Sequence, residues 1–180
     1  MSVYALSSTA PLSSVLLGVL TLSVWFDVRE RRIPNGVTVA GALAALTLRA
    51  VLGGGALESG LLGFALGLSL GLAFFAAGAM GAGDGKLLAT VGALLGIEAL
   101  VWCLPLIGAF GGLLVLATSV RDGTLRPTLT RFRDLLFHVV TLGRIGERKT
   151  LSSPGSVAVP YGVAVAAGAA MAWLGWGITP

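Results

Sequence analysis

Residues 57–86 read LESGLLGFALGLSLGLAFFAAGAMGAGDGK and hold the strongest evidence for the fold. Residues 57–80 carry one charged side chain, Glu58, and are long enough to cross the roughly 30 Å hydrocarbon core of a bilayer as a helix. Asp84 follows this apolar run, with glycines on both sides. An ionisable group at a membrane edge is energetically costly, so its presence there indicates a function.

The composition extends this interpretation to the whole chain. The 180 residues are 56% hydrophobic and 11% charged, and the mean hydropathy is +0.93. Soluble domains carry about a quarter charged residues. The apolar runs do not alternate with polar residues, so helices are expected rather than the strands of a barrel. The composition predicts an all-α membrane protein that forms one polytopic domain over residues 1–180.

The apolar runs predict a bundle of six transmembrane helices. They cover residues 12–27, 36–52, 57–80, 86–102, 104–120 and 157–178. Residues 86–120 as one helix would span about 52 Å at about 1.5 Å per residue, so a turn near Glu98 or near Pro105 is expected. Asn35 is a suitable N-cap for the second helix. The spacing of Gly63, Gly67 and Gly71 predicts close contact between helix backbones.

The long loop 121–156 contains apolar residues at helical spacing among arginines, for example Leu129, Phe132 and Leu136. This pattern predicts a basic amphipathic segment on the membrane surface at the cytoplasmic face, with an extension of the fifth helix as the alternative. Eleven of the twelve Lys and Arg residues lie in the loops after helices one, three and five; Arg49 is the exception. The positive-inside rule places those loops in the cytoplasm and both termini outside.

The same rule brings Asp27 and Asp84 to one face of the membrane. Asp27 closes the first helix, where the helix dipole disfavours an anion, although an ion pair with Arg31 would explain it structurally. Asp84 would serve equally well as a helix N-cap. The glycines around Asp84 allow another backbone to approach, which a protease needs in order to grip an extended peptide. Two carboxylates at one face are able to share a proton and activate water.

The residues around these aspartates resemble a known family. Asp27 is followed by Arg31-Arg32-Ile33-Pro34-Asn35, and Gly81-Ala82-Gly83-Asp84 is followed by Lys86. This arrangement resembles the type IV prepilin peptidase family, the bacterial and archaeal GxGD membrane aspartyl proteases. Pro160-Tyr161-Gly162 also resembles the last helix of that family. The resemblance implies that Asp27 and Asp84 are the catalytic pair.

The resemblance also implies a substrate, a location and a binding region. The expected activity is removal of the cytoplasmic leader peptide from prepilin-like precursors, such as those of Flp pili, at the inner membrane of a prokaryote. The chain resembles the short, peptidase-only members, so no methyltransferase activity is expected. The expected partners are the prepilin substrate and membrane lipids, without nucleic acid, metal or cofactor. The candidate substrate-binding residues are Gly81, Gly83, Gly85, Lys86, Arg31, Arg32, Asn35 and Tyr161.

Three other functions remain open at this point. A small proton-coupled transporter would use Asp27 and Asp84 as relay carboxylates, but near the midplane and with internal repeats. A scaffold protein of a secretion system would not need an aspartate flanked by glycines. A protease resembling the signal peptide peptidases would carry Pro-Ala-Leu where this chain has Pro160-Tyr161-Gly162.

Overall fold

The computed structural model describes residues 3–124, 130, 133 and 161–176. These residues contain six helices, which are α1 (Val3–Glu30), α2 (Asn35–Leu52), α3 (Ala56–Ala76), α4 (Ala82–Leu95), α5 (Ile97–Arg121) and α6 (Tyr161–Trp176). Four are long and apolar enough to cross a membrane, namely the Ala10–Glu30 part of α1, and α2, α3 and α5. The all-helical class is therefore confirmed for the described residues. Six spans remain a prediction, because α4 and α6 are shorter.

The short helix α4 lies at the centre of the bundle. Every residue from Leu87 to Leu95 is buried, and α4 contacts each of the other five helices. Its 14 residues correspond to about 21 Å at about 1.5 Å per residue, which is less than a bilayer core. Burial on all sides explains why this helix is apolar around its whole circumference.

The predicted glycine ladder is where α3 meets α4. A Cβ atom added at Gly67 would lie 2.6 Å from the carbonyl oxygen of Leu88, and one added at Gly71 would lie 2.6 Å from Cα of Gly85. Gly63 makes the same kind of contact with the backbone of Gly92. Glycine on both helices allows the two backbones to touch, as the sequence predicted.

The break between the fourth and fifth helices confirms the expected turn near Glu98 and rules out the alternative near Pro105, so the predicted boundary after residue 102 is wrong. It lies at Gly96, which has φ 86°, two residues before Glu98. Pro105 lies inside α5 and does not end it. A positive φ is available to glycine without steric strain, so Gly96 is able to end α4 and start α5 without a longer loop.

Other boundaries also differ. α1 begins before residue 12 and includes Pro11, and α3 ends at Ala76 rather than at residue 80. Pro34, not Asn35, is the N-cap of α2, and Asn35 is the first helical residue. Residues 77–81 form the connection to α4, whose N-cap is Gly81. The predicted N-cap role of Asn35 is therefore wrong. Asp84 is not the N-cap of α4 either, although its carboxyl group hydrogen-bonds with the backbone of Gly81 from the third helical position.

Arg49, the one basic residue outside the loops that are predicted to be cytoplasmic, has a fully buried side chain. Its Nη1 donates to the carbonyl oxygen of Ala56 at 2.9 Å, and its Nη2 donates to that of Leu94 at 3.0 Å. Gly60 provides the space, because a Cβ there would overlap Arg49 Cδ. Arg49 thus joins the end of α2 to the start of α3 and the end of α4.

The predicted amphipathic segment within 121–156 lies almost entirely outside the described residues. Thr130 and Arg133 are helical, and α5 itself ends at Arg121. The segment and its surface orientation remain a prediction.

Candidate active site

Asp27 lies in the last turn of α1, and its side chain is only 6% exposed. The backbone N–H groups of Gly162 and Val163, in the first turn of α6, hydrogen-bond to its carboxyl group. A Cβ added at Gly162 would lie 2.7 Å from Asp27 Oδ2, so only glycine fits there without displacing the carboxyl group. The positive charge of Arg31, four residues on, also acts on Asp27. The predicted Asp27–Arg31 attraction is therefore present alongside the contact with α6.

Asp84 is the third residue of α4 and lies in its first turn. Its carboxyl group turns back to the start of the helix, where it hydrogen-bonds with the backbone of Gly81. On the other side of this turn, the Gly85 backbone touches Gly71 of α3. Because neither glycine has a side chain, α3 fixes the position of the turn that carries Asp84.

The two aspartates lie at one end of the bundle, near enough for the charge of Asp27 to act on Asp84, although they are 57 residues apart in the sequence. Burial raises the pKa of Asp84 to about 6, and the nearby charge of Asp27 contributes to the increase. Asp84 lies outside the four helices that are long enough to span a membrane. Burial and a neighbouring carboxylate both disfavour the ionised form, which leads a pair of carboxyl groups to hold one proton between them.

Ile33 lies between the two aspartate-bearing regions. Its side chain is buried, with 8% exposed. A Cβ added at Gly83 would lie 3.5 Å from Ile33 Cβ, and one added at Gly162 would lie 3.1 Å from Ile33 Cδ1. Ile33 thus contacts both the glycine-rich turn of Asp84 and the turn of α6 that holds Asp27. Sequence reasoning used Ile33 only as part of a motif, and it missed the backbone contacts of Gly162 and Val163 altogether.

Asn35 and Lys86 bond to each other across α2 and α4. The ammonium group of Lys86 donates to Asn35 Oδ1 at 2.9 Å. One helical turn further along, the Thr90 hydroxyl donates to the carbonyl oxygen of Thr38 at 3.0 Å. Two polar contacts therefore set the register between α2 and the helix that carries Asp84. Whether Asn35 and Lys86 also bind substrate remains a prediction.

The other candidate residues lie around the same end. Arg31 and Arg32 are exposed, and Gly81 and Gly83 are partly exposed. Tyr161 feels the charge of Asp84, but its hydroxyl packs against α5, 2.8 Å from a Cβ added at Gly111. Within the part of the chain that the structure describes, no cluster of three or more His, Cys, Asp or Glu side chains is able to hold a metal.

Taken together, the fold and this site define a helical membrane protein with two buried or half-buried carboxyl groups at one end of its bundle. The chain matches the type IV leader peptidase family over residues 14–120, a segment that contains both aspartates and the Ile33–Asn35 motif. This chain therefore belongs to the type IV leader peptidase family, as its motifs predicted. The family makes it a prepilin-type leader peptidase and fits a multi-pass membrane protein. Neither the curated proteins nor the solved structures contained a match.

Proposed function

We propose that this protein is an aspartic endopeptidase in which Asp27 and Asp84 together hydrolyse the peptide bond between a prepilin-like leader and the segment that follows it. The observation that carries the proposal is the position of these two aspartates at one end of the bundle, near enough for the charge of Asp27 to act on Asp84. Like charges repel, so two neighbouring carboxyl groups in a partly buried site are costly and are typical of functional sites. A shared proton makes the pair useful for hydrolysis.

The chemistry follows from one proton on two carboxyl groups. The ionised group takes a proton from water, and the water oxygen bonds to the scissile carbonyl carbon while the protonated group gives its proton to the carbonyl oxygen. In the second step, the carbon–nitrogen bond breaks and the proton taken from water passes to the departing nitrogen. One of the two hydroxyl protons of the tetrahedral intermediate returns to the carboxyl group that first gave one up, and the other stays on the new carboxyl group of the product. The catalytic pair is thereby restored.

The glycines around Asp84 support an extended peptide as the substrate. Gly81 and Gly83 are partly exposed, and no side chain of their own blocks an approach to Asp84. A peptide held by its backbone would use these positions, with Arg31 and Arg32 near its leader. The transporter alternative has less support, because the described carboxyl pair lies at the end of its helices rather than midway along them.

The distribution of charge supports a site at the cytoplasmic face. Arg29, Arg31 and Arg32 are exposed at the end of α1 beside Asp27. The guanidinium of Arg29 lies 5.2 Å from the ring centre of Trp25, which is itself exposed. Tryptophan is enriched at membrane–water interfaces and arginine in cytoplasmic loops. A cytoplasmic leader followed by a transmembrane helix, as in Flp-type precursors, fits this geometry; the lack of methyltransferase activity stays a prediction.

Co-expression with a prepilin-like precursor tests the proposal. Cleavage is read as a shorter product on a gel, and the cut is located by N-terminal sequencing. We expect Asp27→Asn and Asp84→Asn each to lower the cleavage rate by a factor of 10² to 10⁴ or more, roughly the contribution of a general acid or base. Asp122→Asn is the matched control, since Asp122 is exposed after α5. Normal cleavage by either active-site variant would refute the proposal.

A further inference from the structure

We propose that the two aspartates have fixed roles: Asp27 is the ionised partner that takes the proton from water, and Asp84 carries the shared proton. The inference rests on the proposed peptidase function and adds the division of work within the pair. Gly162, in the first turn of α6, is then a positioning residue that keeps Asp27 ionised. Neither the family nor the sequence motifs distinguish the two carboxyl groups.

Burial opposes a negative charge on Asp27, but the polar groups that contact its carboxyl group favour one. Two backbone N–H groups, from Gly162 and Val163, and the charge of Arg31 act on its carboxyl group. The first turn of a helix offers N–H groups that have no partner within the helix, and it is the positive end of the helix dipole. Hydrogen bonds and a cation that favour the charged form pull the proton away from this group. Asp27 Oδ2 has no hydrogen-bond partner of its own among the described residues, so it keeps the capacity to accept a proton.

The surroundings of Asp84 are poorer in positive charge. One backbone contact, with Gly81, favours its ionised form. The nearest cation in sequence, Lys86, is hydrogen-bonded to Asn35. The other titratable groups that act on Asp84 are Asp27 of α1 and Tyr161 of α6, and neither supplies a positive charge. The raised pKa of Asp84, caused first by burial and then by Asp27, agrees with a proton held there.

With these roles the reaction has a direction. Water gives a proton to Asp27 and its oxygen to the carbonyl carbon, while Asp84 gives its proton to the carbonyl oxygen. When the carbon–nitrogen bond breaks, Asp27 passes its proton to the amine and a hydroxyl proton of the tetrahedral intermediate returns to Asp84. Each group ends in the state in which it began, so the pair needs no external proton to reset.

Carbon-13 NMR of the side-chain carboxyl groups tests the assignment directly. The chain has only four aspartates, Asp27, Asp84, Asp122 and Asp134, so ¹³Cγ-aspartate labelling gives four signals that single Asn substitutions assign. Between the two titration steps of the pair, we expect the Asp27 signal at the carboxylate position and the Asp84 signal at the protonated position. A protonated Asp27 beside an ionised Asp84, or equal sharing, would overturn the proposal. Because the two carboxyl groups interact, the titration steps belong to the pair and not to either residue, so both signals are followed through the full titration.

Gly162→Ala tests the cause. The new Cβ would lie 2.7 Å from Asp27 Oδ2, so the carboxyl group must leave the first turn of α6. We expect the Asp27 signal to shift towards the protonated position and the rising limb of the kcat/KM profile to move to higher pH. Gly168→Ala is the control, because its Cβ would press on Ile107 of α5 instead; it should leave the distribution of the proton unchanged. If Gly162→Ala leaves the distribution unchanged too, α6 does not set the roles.

Cleavage by the wild-type protein is measured in the same preparation. An ionised Asp27 beside a protonated Asp84, without any cleavage, would reject the peptidase proposal and leave the assignment of the proton intact. Cleavage by a protein with a protonated Asp27 and an ionised Asp84 would support the peptidase proposal and reject the assignment. If Gly162→Ala fails to fold, the wild-type titration alone still decides which aspartate carries the proton.

Discussion

At its C-terminal end, α4 meets the guanidinium of Arg49; at its N-terminal end it carries Asp84, which faces Asp27. The two ends of α4 differ in whether their buried charged groups have partners of opposite polarity. Arg49 is fully buried, but two of its nitrogens donate to carbonyl oxygens, one of them in the last turn of α4. A cation at a helix C-terminus complements the helix dipole. Stability alone is therefore enough to explain the Arg49 end.

The aspartate end has no such explanation. Two carboxyl groups are brought together where burial and mutual repulsion both oppose their ionisation. Structures that keep an unfavourable arrangement of charge commonly use it in function. The comparison therefore predicts that substitutions of Arg49 lower stability and leave activity unchanged. Substitutions of the aspartates should instead lower activity and raise stability.

The largest effect on stability is expected from Arg49→Met. It leaves the carbonyl oxygens of Ala56 and Leu94 buried without a donor, at about 1–3 kcal/mol each, so we expect a loss of about 2–6 kcal/mol. Thermal denaturation in detergent measures this loss, and cleavage per folded molecule should stay normal. The exposed Arg121 provides the control Arg121→Met. A loss of cleavage without a loss of stability would mean that Arg49 belongs to the site.

Asp84→Asn should change stability in the opposite direction. The folded protein holds the Asp84 proton up to a pKa of about 6, against 3.8 for an ordinary aspartate. The stability that this proton provides is complete below about pH 4 and is lost as the pH rises through about 6. The difference corresponds to at most about 3 kcal/mol.

We therefore expect Asp84→Asn to denature at a higher temperature than the wild type at pH 8, with little difference at pH 4. Asp122→Asn, which changes an exposed carboxyl group, should show no such dependence on pH. A wild type that is more stable than Asp84→Asn at pH 8 would contradict the unfavourable burial of Asp84.

The glycine ladder runs between the two ends of α4, so substitutions along it distinguish an effect on packing from an effect on cleavage. Gly63→Ala and Gly71→Ala each push a methyl group into the backbone of a neighbour, Gly92–Gly96 in one case and Gly85 in the other. Overpacking of this kind costs about 1–3 kcal/mol, measured as a lower denaturation midpoint. Only Gly71→Ala should also slow cleavage, because Gly85 follows Asp84. Gly108→Ala, with open space around it, is the control; equal loss of cleavage in both ladder variants would contradict this view.

The same contrast explains what sequence predicted and what it did not. The apolar runs, the glycine ladder and the two aspartates were recognisable because their signals are spacing and composition. The sequence alone leaves the break open between Glu98 and Pro105, because one glycine among 27 gives no sign of its φ angle. The burial of Arg49 cannot be predicted from a count of charges, because it depends on carbonyl groups supplied by α3 and α4.

The contacts of α6 with Asp27 were hidden for a related reason. Backbone N–H groups have no sequence signature, so Gly162 stands out only as part of Pro160-Tyr161-Gly162 and Val163 does not stand out at all. Ile33 was noticed only as a motif letter, since its position between Gly83 and Gly162 depends on three elements meeting. Sequence therefore indicates which charges matter, whereas the structure shows what surrounds each of them.

The smallest effect concerns the bond between Lys86 and Asn35, which links α2 to the turn of Asp84. Both residues are exposed, so losing the bond should cost only about 0.5–1.5 kcal/mol. A double-mutant cycle with Asn35→Ala and Lys86→Met separates two roles. If the bond positions Asp84, each single variant should lower kcat several-fold, with KM unchanged, and the double variant should be no worse than either. Additive increases in KM would instead assign both side chains to substrate binding, because independent contacts with a substrate do not depend on each other.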